Sequence, residues 1–310
     1  MATDGHSPVA AAQTATASQP STPSEPPRRY GFTSEQLAAR PTVYREDLLA
    51  GRSFIVSGGG SGMGRAMAFL LTRLGAAVMI CGRDEAKLDK VAADVQRLTG
   101  KALRRRAMNI RDTAQVKALM DEAFDSFGNV DGLVNSAGGQ FPQAAIDMSE
   151  KGWNAVIDTN LNGTWWMMQQ AARQWRDRST QGSIVNVIAS FGRGIPQLAH
   201  TTAARSAVAY LSKTVAVEWA PLGVRVNCIA PGTIETEGIN QYGPEFHARL
   251  GRGNPMRKMG DAWDIAEAAA FLCSDAAKFI TGEILHVDGG MQMWGASYPL
   301  GVPDHLKDPS

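Results

Sequence analysis

Short apolar runs alternate with longer amphipathic segments from residue 51 to residue 290 of this 310-residue chain. The apolar runs predict seven strands and the segments between them predict helices, beginning with the strand "SFIVS" at 53–57. Regular strand–helix alternation requires crossover connections, which make the strands parallel and cover both faces of the sheet with helices. The sequence therefore predicts an α/β fold with one doubly wound, seven-stranded parallel sheet that binds ligands at the carboxyl ends of its strands.

The two ends of the chain differ from this domain. Residues 1–29 are rich in Ala, Ser, Thr and Pro and poor in large apolar side chains, so they cannot offset the entropy lost on folding. We predict that they form a disordered tail. Residues 30–50 are a lead-in segment, residues 51–290 form the domain with a substrate loop at 235–259, and residues 291–310 form a C-terminal extension.

The charge balance excludes several classes of partner. The chain has 31 Lys and Arg against 30 Asp and Glu, a net charge of +1, which gives no electrostatic case for nucleic acid or an anionic membrane. No apolar run approaches the ~18 residues of a membrane span. Cys81, Cys228 and Cys273 lack paired or metal-ligand spacing, which favours reduced core thiols and no metal site. We expect a cytoplasmic protein that acts on a small molecule.

A glycine-rich run, "SGGGSGMG" at 57–64, joins the first strand to its helix. In this context Gly58 permits a sharp turn, Gly62 lets backbone amides approach a diphosphate, and Gly64 packs the helix against the sheet. The N-terminus of the helix then faces the phosphate charge. The run therefore predicts a dinucleotide-binding site.

Three further motifs follow this run, namely "NSAG" (135–138), "TNLNG" (159–163) and "APGTIET" (230–236). Together with the Gly-x-x-x-Gly-x-Gly spacing, they resemble the short-chain dehydrogenase/reductase family over residues 50–290. The resemblance implies a Rossmann-like domain, a nicotinamide cofactor and a substrate loop after the sixth strand. It also implies a homo-oligomer, usually a tetramer.

The end of the second strand indicates which nicotinamide cofactor binds. NAD-binding folds carry an acidic residue there, but this chain has Gly82 followed by Arg83. A guanidinium pairs well with a 2′-phosphate, so we predict NADP(H). The predicted cofactor contacts, several of them implied by the resemblance, are Ser57, Gly58, Ser61, Gly62, Met63, Gly64, Arg83, Asn109, Ile110, Asn135, Ala137, Gly138, Arg205, Pro231, Gly232 and Ile234.

The catalytic positions depart from the family. Its alcohol chemistry uses Asn, Ser, Tyr and Lys, and the resemblance maps these onto Asn160, Ala189, Thr201 and Arg205. Ser190 stands one residue beyond the serine position. We predict that the catalytic group is Asn160, Ser190, Thr201 and Arg205, with Arg205 also binding the cofactor ribose.

These departures favour reduction of a C=C bond over reduction of a C=O bond. Carbonyl reduction places negative charge on an oxygen that an acid must neutralise, and a threonine hydroxyl is a poor acid beside a tyrosine of pKa ~10. In an enoyl thioester the charge spreads to a distant enolate oxygen, which hydrogen-bond donors stabilise. The segments "GGQF" (138–141), "HTTAAR" (200–205) and "VPDH" (302–305) resemble the trans-2-enoyl-CoA and 2,4-dienoyl-CoA reductase branch.

Two other functions stay open at this point. A carbonyl reductase or alcohol dehydrogenase would need a relocated acid, for which Ser190, His200 and Tyr242 are the candidates. Tyr210 and Lys213 are three residues apart, whereas the family's tyrosine and lysine are four apart. Tyr210 is therefore expected to have a packing or interface role. A catalytically silent NADPH-binding protein would keep the same glycine motif.

The substrate loop is consistent with an acyl-CoA partner. Arg249, Arg252 and Arg257 contact a coenzyme A phosphate in one interpretation and point to solvent from a helix in the other. The sequence leaves both interpretations open.

Overall fold

The computed structural model describes residues 29–190, 192, 194–241, 243, 250 and 252–294. It contains a seven-stranded sheet in the order β3-β2-β1-β4-β5-β6-β9, with every neighbouring pair parallel. The strands are β1 (Ser53–Ser57), β2 (Ala77–Gly82), β3 (Leu103–Ala107), β4 (Gly132–Asn135), β5 (Gly182–Val187), β6 (Val224–Pro231), β7 (Ile234–Glu235), β8 (Gly260–Asp261) and β9 (Ile284–Val287), of which β7 and β8 form a separate pair. The predicted fold class and the seven-stranded parallel sheet are confirmed.

Helices cover both faces of the sheet. They are α1 (Ser34–Ala39), α2 (Gly62–Arg73), α3 (Glu85–Thr99), α4 (Thr113–Phe127), α5 (Glu150–Ile157), α6 (Thr164–Arg178), α7 (Ala199–Trp219) and α8 (Ala262–Cys273). The strand order reverses between β1 and β4, and a doubly wound sheet forms its ligand crevice at such a point.

The side chains of β1 show how the core is divided. Phe54 and Val56 belong to the apolar cluster beneath α2, α3 and α8, whereas Ile55 belongs to the cluster beneath α4, α6 and α7. Alternation along the strand sends successive side chains to opposite faces, so the three central residues of a strand buried on both sides are all apolar. All five residues of β1 are buried.

The lead-in segment is part of the packed structure. Its Leu37 and Leu49 are buried in the cluster beneath α2, α3 and α8. The Ser34 hydroxyl donates to a carboxylate oxygen of Asp94 on α3 at 2.6 Å, and this contact is buried. These contacts hold α1 on the outer face of α2 and α3.

The cysteines are free and buried, as predicted. Burial raises the pKa of Cys81 and Cys273 to about 12 and that of Cys228 to about 11. Among the helices of the described ranges, none is long and apolar enough to cross a membrane. The predicted disordered tail lies outside the described residues except for Arg29, and the C-terminal extension lies outside them from residue 295. The proposed domain boundaries stay predictions.

Candidate active site

The glycine-rich turn between β1 and α2 packs against the end of β4. Gly58 has φ +71°, and a Cβ there would lie 2.8 Å from the Ala137 nitrogen. The Ser57 hydroxyl oxygen accepts hydrogen bonds from the Ser136 and Ala137 amides, both at 3.1 Å. The turn and the "NSAG" motif therefore form one rigid unit at the point where the strand order reverses.

A cleft of about 580 Å³ opens at this point, over the carboxyl ends of the strands. It is lined by Gly58, Gly60, Ser61, Gly82, Arg83, Asp84, Lys87, Leu88, Met108, Asn109, Ile110, Ala137, Gly138 and Thr159. Seven of the predicted cofactor contacts are in this lining. A crevice of this size at the switch point fits the adenine half of a dinucleotide.

Arg83 gives one end of this cleft a positive charge. It lines the cleft and forms no ion pair with any other described residue. The neighbouring Asp84 is turned toward α3, where its carboxylate caps the helix by accepting the Lys87 amide at 3.1 Å. This hydrogen bond lowers the pKa of Asp84. The cleft therefore offers a guanidinium without an ion pair among the described residues, at the position where the sequence predicts a 2′-phosphate contact.

Asn160 lies in a π-helical segment, Asp158–Gly163, that joins α5 to α6. Such segments often occur at functional sites because they displace one turn of the helix. The Asn160 amide exchanges two 3.0 Å hydrogen bonds with the backbone of Gly139 and donates a third to the Thr201 hydroxyl at 3.1 Å. Both of its amide hydrogens are used, so Asn160 fixes the loop after β4 and orients Thr201.

Thr201 stands in the first turn of α7 and is 3% exposed. Its hydroxyl accepts the bond from Asn160 and keeps its own hydrogen for a further partner. Ala189, at the family's serine position, is half-buried and contributes no polar atom. The residue that faces Asn160 is therefore a weak acid with one hydrogen to donate.

Arg205 follows one turn later and is 8% exposed. Its Nη2 donates to the Ala137 carbonyl at 3.4 Å, while Nη1 is buried without a hydrogen-bond partner in the described part of the chain. A Cβ on Gly138 would lie 2.0 Å from Nη2, so only glycine leaves room for the guanidinium. Burial lowers the pKa of Arg205 to about 10. A buried cation with an unused donor indicates a ligand that supplies oxygen acceptors.

The structure brings Asn160, Thr201 and Arg205 together, but it does not bring Ser190 into this group. The Ser190 hydroxyl donates to the buried Asp288 carboxylate at 2.6 Å, so its hydrogen is committed elsewhere. No hydrogen bond among the described residues joins Ser190 to the other three. Ser190 therefore has a structural partner of its own, and its predicted place in the catalytic group stays a prediction.

His200, another candidate acid, is no better placed than Ser190, and Tyr210 lies on the outer side of α7. His200 is fully buried, its Nδ1 accepts the Thr201 amide at 2.7 Å, and its ring packs edge-on against Phe141. Burial lowers the pKa of His200, and the nearby backbone of Phe141 and Leu198 offsets only part of this effect. Tyr210 is 74% exposed on the outer side of α7, beneath the Lys213 ammonium group.

Several predicted positions sit at the end of β6 or beyond the described residues. Pro231 accepts the Ser190 amide, and the Gly232 amide donates to Val287 at 3.0 Å, so this end of β6 is fixed beside β5 and β9. Ile234 is buried in β7. Of the loop residues, Tyr242 and Arg249 lie outside the described part, so no structural statement applies to them.

Sequence reasoning missed Glu237. Its carboxylate accepts the amide of Gly62, the first residue of α2, at 3.1 Å and pairs with Arg65 on the same helix. The partners are 175 residues apart, and no local pattern links them. A glutamate in a loop also gives no signal of its own, because such residues are usually solvated.

Comparisons with known proteins agree with this geometry. The family model described as Enoyl-(Acyl carrier protein) reductase matches residues 58–292. A Bacillus subtilis protein named "Probable 2,4-dienoyl-CoA reductase" is 37% identical over 254 residues, covering 80% of this chain and 99% of that protein. A 3-oxoacyl-(acyl-carrier-protein) reductase of Staphylococcus epidermidis is 35% identical over 245 residues, covering 78% and 99%. The solved citronellol catabolism dehydrogenase of Pseudomonas aeruginosa has a TM-score of 0.72 and 36% identity, covering 81% of this chain and 99% of its own.

Proposed function

The chain belongs to the short-chain dehydrogenase/reductase family, and within it we propose that this protein is an NADPH-dependent reductase of a C=C bond conjugated to a thioester carbonyl. The observation that carries the proposal is Thr201, which occupies the place of the family's acid, hydrogen-bonded to Asn160. An enoyl-CoA is the substrate type that fits this arrangement.

Thr201 suits a reaction in which no strong acid is required. When a C=C bond conjugated to a carbonyl is reduced, a hydride adds to the carbon remote from the carbonyl and the charge collects on the thioester oxygen. The Thr201 hydroxyl has one hydrogen to donate to such an oxygen, and it is held in place by the Asn160 amide. Water or another weak donor then protonates the α-carbon, so the electrons and the proton balance without tyrosine.

Arg205 supports the proposed cofactor position. Its unused Nη1 donor lies beside the end of β4, where the ribose next to the nicotinamide would offer two hydroxyl oxygens. The bound cofactor supplies the hydride. Arg205 stays charged at neutral pH despite its lowered pKa of about 10, so it binds and orients without exchanging a proton.

The choice of NADPH over NADH is supported by the charges at the end of β2. Arg83 is unpaired among the described residues, and Gly82 stands where an acid would repel the 2′-phosphate. Among the described residues that line the cleft, Asp84 carries the carboxylate, and it is engaged as the cap of α3. A 2′-phosphate would therefore meet a net positive surface.

The similar proteins support a thioester substrate and also raise one alternative. The B. subtilis relative is named as a 2,4-dienoyl-CoA reductase, and a dienoyl thioester extends the same conjugation. The S. epidermidis relative is named as a 3-oxoacyl reductase, which would make carbonyl reduction the second candidate. In this chain that reaction needs a relocated acid, but Ser190 is bound to Asp288 and His200 is buried.

A matched set of substrates separates the candidates. NADPH oxidation is measured with crotonyl-CoA, 2,4-hexadienoyl-CoA, acetoacetyl-CoA, a simple ketone and no substrate. Crotonyl-CoA and acetoacetyl-CoA differ at the reacting carbon but carry the same thioester, so they compare the two bonds directly. We expect oxidation with an unsaturated thioester and little with either ketone. Faster turnover of acetoacetyl-CoA would favour the carbonyl reductase, and binding of NADPH without turnover would favour the silent binding protein.

We also propose that the protein acts as a homo-oligomer, most simply a tetramer. The outer side of α7 exposes Tyr210 and Val217, at 74% and 78%, and side chains of this kind are unusual on a monomer surface when grouped. Light scattering after size-exclusion chromatography measures the mass directly. A monomeric mass at micromolar concentration would contradict this proposal and leave the proposed reaction untouched.

A further inference from the structure

We propose that residues 30–40, the lead-in strap, retain bound cofactor by holding the turn at Thr236–Asn240, the latch turn, against the first turn of α2. The proposal rests on the proposed cofactor site but does not depend on which bond the enzyme reduces. The matched family model begins at residue 58, so the strap lies outside it. The strap and the latch turn are joined by polar contacts from three side chains.

Glu237 makes the first connection, between the latch turn and α2. One carboxylate oxygen accepts the Gly62 amide at 3.1 Å, and the other pairs with the Arg65 guanidinium. The Arg65 side chain is only 14% exposed, so this ion pair is partly removed from water. Water competes less well for such a pair than for an exposed one, and losing one partner leaves the other buried and unpaired.

Arg65 extends this connection to the strap. The nitrogen that pairs with Glu237 also donates to the Phe32 carbonyl, so one guanidinium holds the strap and the latch turn together. Gly31 has φ +92°, and a Cβ there would lie 2.8 Å from Cγ of Glu237. The strap backbone therefore rests directly on the Glu237 side chain.

Asn240 joins the latch turn directly to the strap by two hydrogen bonds. Its Oδ1 accepts the Tyr30 amide at 2.9 Å, and its Nδ2 donates to the Tyr30 carbonyl at 3.0 Å. This paired arrangement satisfies both backbone groups of a residue 210 positions away. Removing the Asn240 side chain breaks two hydrogen bonds at once and leaves the Glu237 contacts in place.

The strap is itself fixed to the body of the protein. Leu37 is 1% exposed, and Ser34 donates to Asp94 on α3. Arg40 pairs with Asp261 at the start of α8, and its carbonyl accepts a hydrogen bond from Arg73 at 2.7 Å. The strap is therefore a rigid support, and the latch turn is the part that would move if the contacts between them were lost.

These contacts bear on cofactor release because Gly62 belongs to the turn proposed to hold the diphosphate. The latch turn reaches this glycine, since a Cβ on Gly62 would lie 3.7 Å from Cγ2 of Thr236. The Glu237 charge is neutralised by Arg65, so the latch turn does not repel an anion beside it. A diphosphate in this turn would be covered on one side by the latch turn, and its departure would require those contacts to open.

The test measures the dissociation rate of NADPH without any substrate. NADPH bound to the full chain is displaced by excess NADP⁺ in a stopped-flow instrument, and the loss of its fluorescence gives the rate. The variants are Asn240→Ala and Glu237→Gln. Their matched controls are Asn129→Ala and Glu122→Gln, at the amino end of β4 and on α4, away from the proposed site. We expect dissociation to become about five- to tenfold faster in both variants, the effect of one or two net hydrogen bonds, and unchanged in both controls.

Amide hydrogen exchange provides a second readout. In Asn240→Ala, residues 30–33 and 236–240 are expected to exchange faster, and NADPH is expected to protect them less than in the native protein. Arg65→Lys keeps the charge but lacks the planar guanidinium that holds Phe32 and Glu237 together, and it should release NADPH faster as well. Dissociation rates equal to those of the controls in Asn240→Ala and Glu237→Gln would overturn the proposal and leave the strap a structural brace. Failure of the enoyl reductase proposal would appear only in the substrate assays.

Discussion

The cleft over the carboxyl ends of β1 and β4 differs in composition from the group formed by Asn160, Thr201 and Arg205, which we call the α7 group. The cleft is lined by glycines together with polar and apolar side chains, and at one end Arg83 forms no ion pair with any described residue. The α7 group consists of side chains whose hydrogen bonds are nearly all used, with one hydrogen left on Thr201 and one donor left on Arg205. The cleft is the region proposed to bind the cofactor, whose shape and charge are common to many enzymes. The α7 group is where the chain departs from the family, and we propose that the chemistry differs there while cofactor binding is retained.

Arg205→Ala tests whether the two regions are connected. Arg205 belongs to both, since it contacts the Ala137 carbonyl of the cleft and stands beside Thr201. Nη1, the nitrogen without a partner, carries two hydrogens for the two hydroxyls of the proposed ribose site. Its loss would remove both charge-assisted hydrogen bonds, so we expect kcat/KM for crotonyl-CoA to fall by about a thousandfold and NADPH affinity to fall with it. Arg205→Lys, which keeps a cation, should recover part of both. Normal NADPH binding in Arg205→Ala would show that Arg205 does not connect the cleft to the α7 group.

Arg83→Ala acts on the cleft alone. One charge-assisted contact is worth about 1.5–3 kcal/mol, so NADPH affinity should fall roughly 10- to 150-fold while NADH affinity stays the same. Fluorescence titrations with both cofactors measure this, and Arg104→Ala on β3 controls for a general change of charge. Equal affinity for NADPH and NADH in the native protein would contradict the predicted preference for NADP(H).

Thr201→Ala acts on the α7 group alone. It removes one neutral hydrogen bond to the proposed thioester oxygen, so we expect kcat to fall by about tenfold and NADPH affinity to stay unchanged. Thr201→Ser keeps the hydroxyl and is the matched control. A complete loss of turnover in Thr201→Ala would mean that the hydroxyl transfers a proton, in which case the C=C assignment loses its main support.

Ser190→Ala should leave turnover within about twofold and change stability instead. Burial raises the pKa of Asp288, but hydrogen bonds from Ser190 and from the Gln292 and Gly290 amides outweigh it and hold this pKa below its usual value. A carboxyl with a lowered pKa adds stability above its unfolded pKa and loses it as pH falls through the folded pKa. We therefore expect Ser190→Ala to cost about 1 kcal/mol at pH 7 and less near pH 3. Denaturant titrations at both pH values measure this, and a large loss of turnover would restore Ser190 as the relocated acid.

Removing residues 1–29 is expected to have the smallest effect. Their composition offers no apolar face to dock, and the strap begins only at Tyr30. The melting temperature and the rate with crotonyl-CoA should both be unchanged. A large loss of either would show that the tail is a functional arm.

Local motifs were sufficient to predict the cleft, and the family resemblance grouped Asn160, Thr201 and Arg205, but neither revealed the partner of Ser190. The turn at 57–64 and the Gly82–Arg83 pair are each recognisable from a few consecutive residues. The sheet, the cleft and the position of Arg83 in its lining could therefore be predicted. The partner of Ser190 is Asp288, 98 residues away, and the sequence gives no sign of this pairing. Counting from Asn186 placed Ser190 one residue from the serine position, but neighbouring residues of an extended segment point to opposite sides.

The three buried cysteines allow unfolding of this protein to be followed by thiol labelling. With pKa values of about 11 to 12, each thiol is ionised in roughly one molecule per thousand or fewer at pH 8, and burial also shields it from reagents. Alkylation would therefore proceed through molecules that have already opened. Cys81 lies in β2, Cys228 in β6 and Cys273 at the end of α8, so the order in which they are labelled traces which part of the sheet separates first. A thiol reagent that inactivates this enzyme would measure unfolding, since no cysteine belongs to the proposed chemistry.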